Sequence, residues 1–195
     1  MKVNGMIRIV TILGSVRQNN NSAKALAIVN AELNKNPNVK IIGINPAELN
    51  LSLPGIKNNS GDAKWVNEQI KAADGVIIVS PEYHGSYSSV IKLVLDNLNF
   101  PALMKEKPVA LVGVASGQIG AVKSIEHLRS VLSHMGAMVM PGPVSIANVD
   151  KVFNENGDCL NDLVLKRLVN LSENLLRFIK RSLLPSISFE QLSRN

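Results

Sequence analysis

Only one cysteine, Cys159, occurs in the 195 residues, so no intrachain disulfide can form and burial alone must hold the fold. That suits a reducing compartment, and the cytoplasm is the expected location. Aromatic residues are scarce, at 4%, and the 21 lysines and arginines are scattered, with no tract of five or more. A nucleic-acid surface needs clustered basic charge, often with interleaved aromatics, so no nucleic-acid partner is expected. Three histidines and the lone cysteine, without H-x-x-x-H or C-x-x-C spacing, argue against a metal site. The first apolar run, Met6 to Leu13, contains Arg8 and is too short to span a bilayer. No small-residue cleavage pattern follows it, so neither a signal peptide nor a membrane partner is expected.

What remains is a composition that can fold. Hydrophobic residues make up 46% and charged residues 18%, as in an ordinary globular domain. The length suits one domain, read as residues 1–181 with a polar, proline-containing tail at 182–195. A formal charge of +6 creates a mildly positive field that favours anionic small molecules.

Five apolar, β-branched runs recur along the chain: Ile7–Leu13, Val39–Ile44, Val76–Ser80, Val109–Val114 and Ala137–Met140. They lack polar alternation, which predicts parallel strands covered on both faces. Between and after them lie segments with helical period: Ser22–Leu33, Ala63–Ala72, Ser89–Leu98, Val122–Met135 and Leu160–Ile179. Alternating strands and helices with right-handed crossovers predict an α/β doubly wound five-stranded parallel sheet, order 2-1-3-4-5, with helices on both faces. Asn45–Gly61, rich in Asn, Pro, Gly and Ser, is expected as a loop.

The loops after the first, third and fourth strands carry the chemistry. The first reads Gly14-Ser15-Val16-Arg17-Gln18-Asn19-Asn20-Asn21-Ser22 and runs into a helix that Asn20, Asn21 or Ser22 can cap. The unpaired amides of a helix start, with the Ser15 and Ser22 hydroxyls and the Arg17 fork, make an anion site. Neither the Walker nor the G-x-G-x-x-G pattern is present, and a Ser/Arg loop suits a terminal phosphomonoester better than a buried pyrophosphate. The second loop is Ser80-Pro81-Glu82-Tyr83-His84-Gly85-Ser86. Pro81 and Gly85 fix an irregular backbone there, Tyr83 offers a ring face, and Ser86 can cap the next helix. Glu82 and His84 read equally well as ligand contacts or as exposed loop residues. The third, Ala115-Ser116-Gly117-Gln118-Ile119-Gly120, is again glycine-rich at a strand's carboxyl end. His127 and His134 fall off the apolar stripe of their helix and are expected at the surface. A serine-hydrolase elbow at Ser116 fails on spacing, because Val114 stands where G-x-S-x-G requires glycine.

Carrying these motifs, with Lys92, Asp96 and the stretch Leu128 to Leu132, the chain resembles the NADPH-dependent FMN reductase family of flavodoxin-like proteins. That family includes azo-dye, quinone and chromate reductases. The resemblance covers residues 6 to about 180. It implies that Ser15, Arg17, Asn20, Asn21 and Ser22 hold the phosphate of FMN. It places Pro81, Glu82, Tyr83, His84, Gly85 and Ser86 around the isoalloxazine, with Ser116, Gly117 and Gly120 on the other side. Ala121 departs from the second glycine that many members carry there. The implied activity passes hydride from NADPH or NADH to bound FMN, then on to a small-molecule acceptor such as free flavin, a quinone, an azo compound or a metal oxyanion. Hydride transfer needs no side-chain acid or base, so no catalytic residue is assigned. A homodimer or homotetramer is implied as well. The alternative is a flavodoxin-like electron carrier without nicotinamide activity, but such carriers usually present an acidic face, which +6 disfavours. A third reading, a scaffold that has lost the flavin, is disfavoured by intact Ser15, Arg17 and Tyr83.

Overall fold

Branched aliphatic side chains crowd the strand segments, where they pack well on a pleated surface covered from both sides. A computed structural model describes residues 6–57, 59–99 and 103–182. The first half comprises β1 (Ile7–Leu13), α1 (Asn21–Asn34), β2 (Val39–Ile44), α2 (Asp62–Ala72) and β3 (Gly75–Tyr83). A short β4 (Ser86–Tyr87) and α3 (Ser89–Asp96) follow, then β5 (Pro108–Val114) and α4 (Val122–His134). Two short strands, β6 (Met138–Val139) and β7 (Val144–Ile146), precede α5 (Asp162–Ser182).

The parallel sheet runs β2-β1-β3-β5, with β6 and β7 both beside β5. Counted by position this is the expected 2-1-3-4-5 order. Successive strand residues point to opposite faces and so feed two cores. Ile7, Ile9, Ile77 and Val79 pack against α1 and α5 through Val29, Leu33, Leu168 and Leu175. Val10, Ile12, Val76 and Ile78 pack against α2, α3 and α4 through Ile70, Ile91 and Leu128. Each such fully buried aliphatic side chain contributes about 1.5–3 kcal/mol, so the two cores together fix the register of every central strand.

Four local readings need correction. The third strand does not stop at Ser80. It continues through Pro81 to Tyr83 and folds back on β4, with Glu82 opposite Tyr87 and Tyr83 opposite Ser86. Ladder bonds to β4 extend the strand beyond its apolar run, which hydrophobicity alone could not show. The fifth position is not one strand at 137–140 but two short ones, separated by Pro141-Gly142-Pro143, because proline has no N–H for the ladder. Ser86 does not cap α3; Ser88 does, its Oγ accepting from Ile91 N–H at 3.3 Å. Asn45–Gly61 is not wholly loop, since Pro46–Glu48 forms a 3-10 turn capped by Asn45. The expected tail lies outside the described residues beyond Ser182. Among the described residues no helix is long and apolar enough to cross a membrane.

Candidate functional site

At the carboxyl end of β1 the chain must turn without leaving β3. Gly14 N–H donates to Val79 O at 2.7 Å. A Cβ at Gly14 would lie 2.7 Å from that oxygen and 2.9 Å from Ser80 Cα, so only glycine permits the approach. The next residues curl into the first turn of α1. Asn20 fastens both ends of this curl: its Oδ1 accepts from Ala23 N–H at 2.8 Å and its Nδ2 donates to Arg17 O at 2.7 Å. Of the three candidate caps, Asn20 is therefore the one used. The amides of Asn21 and Ser22 follow it in the first turn, where helix geometry gives them no intrahelical acceptor.

The second wall is a hairpin. His84 (φ +50°) and Gly85 (φ +73°) are both left-handed, as a two-residue turn between β3 and β4 requires. Glu82 Oε2 accepts from Ser124 N–H at 3.0 Å and so caps α4, whose own N-cap position, Ala121, offers no side-chain bond. Tyr83 faces the first loop, with the Arg17 guanidinium carbon 5.0 Å from its ring centroid. That contact holds the cation over the cleft and contributes about 0.5–1 kcal/mol at an exposed site.

The third loop is tied to β7 and to the segment after it. Asn148 N–H donates to Gly117 O at 3.1 Å, Val149 N–H to Ala115 O at 3.1 Å, and Ala121 N–H to Ser145 Oγ at 2.9 Å. Gly120 is left-handed (φ +76°), and a Cβ there would sit 2.5 Å from Ser145 Oγ. Gly113 makes room for the Ala121 methyl, since a Cβ on residue 113 would come within 2.6 Å of it.

These loops bound one continuous cleft. Its inner part, about 270 Å³, is lined by Ser15, Arg17, Asn20, Asn21, Ser22 and by Pro81 to Tyr83 and Ser116 opposite. Its outer part, about 810 Å³, lies between Tyr83 to Gly85 and Ser116 to Gly120. Arg17, Glu82, Tyr83, Ala115 and Ser116 line both. Ser15 and Ser22 are only 3% and 2% exposed yet line the inner end, so two nearly buried hydroxyls face a concave, donor-rich space. That donor set fits a phosphomonoester. The structure thus brings together every expected site residue except Ser86, whose Oγ instead lies 3.0 Å from His127 Nδ1. His127 and His134 are exposed.

Val149 and Asp150 also line the inner cleft, and sequence reasoning missed both. Placing the fifth strand at 137–140 put the functional loop too early; the signal was the β-branched pair Val144 and Ile146 and the residues just past them. Lys92 and Asp96 pair across one turn of α3, away from the cleft. The Asp96 hydrogen bond raises the Lys92 ammonium above its ordinary value of 10.5, against partial desolvation.

A parallel sheet in this order with a phosphate-suited cleft at its switch point defines a flavodoxin-like protein. The sequence profile described as NADPH-dependent FMN reductase matches residues 7–151, and the chain belongs to that family. An FMN-dependent NADPH-azoreductase of Staphylococcus aureus is 38% identical over 112 residues, 57% of this chain and 57% of that protein. The chain thus aligns with little more than half the length of such curated relatives. Among solved structures, a flavoenzyme NAD(P)H:(acceptor) oxidoreductase from Paracoccus denitrificans superposes with TM-score 0.76 at 19% identity, over 90% of this chain and 98% of that one. An NADH:FMN oxidoreductase in apo form gives 0.73 at 22% identity, over 87% and 88%. At these identities the two structures speak to the fold.

Proposed function

We propose that this chain binds FMN in the cleft, oxidises NAD(P)H, and delivers the electrons to a small-molecule acceptor. The observation that carries the reading is the inner cleft itself: a helix start, two nearly buried hydroxyls and a ring-stacked arginine converging at the switch point. When bound, FMN would supply the redox chemistry, hydride acceptance and two-electron delivery. The protein's part is placement and electrostatics. Arg17, Ser15, Ser22 and the first amides of α1 bind the phosphate. The β3–β4 hairpin and the Ser116–Gly120 loop grip the ring system from two sides. The N–H groups of the hairpin would be the donors available to a ring system seated there. Glu82, by capping α4, holds the hairpin against that helix.

The acceptor class follows the family resemblance: free flavin, a quinone, an azo compound or a metal oxyanion. A homodimer or homotetramer in the cytoplasm completes the reading. The test is the visible spectrum of the purified protein, reconstituted with FMN if colourless, before and after anaerobic NADPH or NADH. Bleaching of the flavin band by either nicotinamide supports the reading. A bound flavin that neither bleaches favours the electron carrier, and absence of flavin binding overturns the site.

A further inference from the structure

Basic residues that look scattered along the chain are gathered by the helical period of α5. That helix carries Lys166, Arg167, Arg177, Lys180 and Arg181 against Asp162 and Glu173. Five cations less two carboxylates leave +3 on one element, half of the +6 of the whole chain. Val164, Leu168, Leu171, Leu175 and Ile179 are buried against the sheet, and that stripe fixes the direction of every other side chain of the helix. All five cations are exposed on the opposite side, and none forms an ion pair among the described residues. At the rise of an α-helix they extend over about 22 Å, from Lys166 to Arg181. Like charge held this way repels itself, and a surface of opposite sign relieves it. The same face has an apolar end. Leu163, 57% exposed, stands one turn before Lys166 and Arg167, and Leu160, 64% exposed, precedes it. Leu160 is held there by its N–H, which donates to Val152 O at 2.7 Å.

We propose that the outer face of α5 docks on an anionic lipid surface, with the five cations against the headgroups and Leu160 and Leu163 entering the interface. The contact is peripheral, because the apolar stripe of α5 is committed to the core and no helix among the described residues could span a bilayer. The expectation of no membrane partner rested on the lack of a spanning segment, which a contact of this kind does not need. Each cation held near an anionic leaflet raises the partition roughly fivefold, an attraction that decays within a Debye length. A nucleic acid would meet the same cations, but it offers no apolar phase to two exposed leucines. The proposal goes beyond the flavin reading and does not depend on it, since none of these residues lines the cleft.

The experiment is co-sedimentation of the full chain with vesicles, one set of phosphatidylcholine alone and one of phosphatidylcholine and phosphatidylserine in equal parts. We expect binding to the mixed vesicles only, weakening as salt rises from low to physiological. Arg177→Gln combined with Lys180→Gln should lower the partition on the order of tenfold. Lys64→Gln combined with Lys71→Gln removes two exposed cations from α2, across the sheet, and should change it by less than about twofold. Leu163→Asn should weaken vesicle binding by about threefold or more and leave binding to duplex DNA unchanged. All five substituted positions are exposed, and unchanged thermal denaturation checks that each variant folds. Equal losses from the α2 and α5 pairs overturn the proposal, because net charge and not this face then drives binding. So does failure of the wild type to bind the mixed vesicles. Vesicle binding that Leu163→Asn does not weaken removes what distinguishes lipid from any polyanion, and overturns it as well. Tighter binding to duplex DNA than to the mixed vesicles assigns the face to a nucleic acid and overturns the lipid reading.

Discussion

Among the described residues Arg17 is the single cation lining the inner cleft, and removing it should turn the flavin preference of the site around. Its guanidinium is held over Tyr83 at 5.0 Å, so the fork is positioned before a ligand arrives. A hydrogen bond from such a cation to a phosphate oxygen contributes about 1.5–3 kcal/mol. Arg17→Ala should therefore weaken FMN by roughly ten- to a hundredfold. Riboflavin has no phosphate to lose, and its affinity should change by less than about threefold, through the Tyr83 ring that Arg17 no longer covers. With two carboxylates and, among the described residues, no cation then lining the pocket, FMN should bind more weakly than riboflavin. Arg17→Lys keeps the charge but not the fork or the stacking, and should fall between. Fluorescence titration of both flavins measures all three proteins. Equal losses for the two flavins, or no loss for FMN, would refute the phosphate assignment.

Other consequences concern stability. Asn20→Ala removes the α1 cap and the clamp on Arg17 O, and should cost about 1–2 kcal/mol in urea unfolding while also weakening FMN. Gly120→Ala forces a Cβ to within 2.5 Å of Ser145 Oγ at φ +76°, and should cost about 1–3 kcal/mol; pairing it with Ser145→Gly should recover part of the loss by thermal denaturation. The Lys92–Asp96 pair raises the lysine value, so its contribution is present across neutral pH and fades only as pH climbs past 10.5. Because the Lys92 side chain is about half exposed (49%), Asp96→Asn should change stability by less than about 0.5 kcal/mol near pH 7, and the difference should vanish in strong alkali.

The strand and helix order could be read from hydrophobic runs and periodicity because each central strand must satisfy two cores at once. A segment such as Ile77 to Val79 has no solvent face to encode. The first loop was legible for a related reason: a helix start with Asn, Ser and Arg before it announces its own unpaired donors. Even there the sequence allowed three caps, and only the paired bonds of Asn20 to Ala23 and Arg17 decided among them. The roles of Glu82 and Ser86 were not local. Glu82 finds its partner 42 residues away on α4, and Ser86 finds His127, because the hairpin packs against that helix.

What the sequence by itself determined is thus the doubly wound sheet, the three glycine- and serine-bearing loops at its carboxyl edge, and the phosphate-suited chemistry of the first. Those features depend on neighbours a few residues apart, through propensity, period and capping. Only the tertiary structure decided that β6 and β7 both dock beside β5, that Arg17 rests on Tyr83, and that Asp150 joins the inner cleft beside Asn21. Asp150 lies 129 residues from its partner, and long-range pairing of this kind is set by how the layers dock, which no local pattern of side chains records.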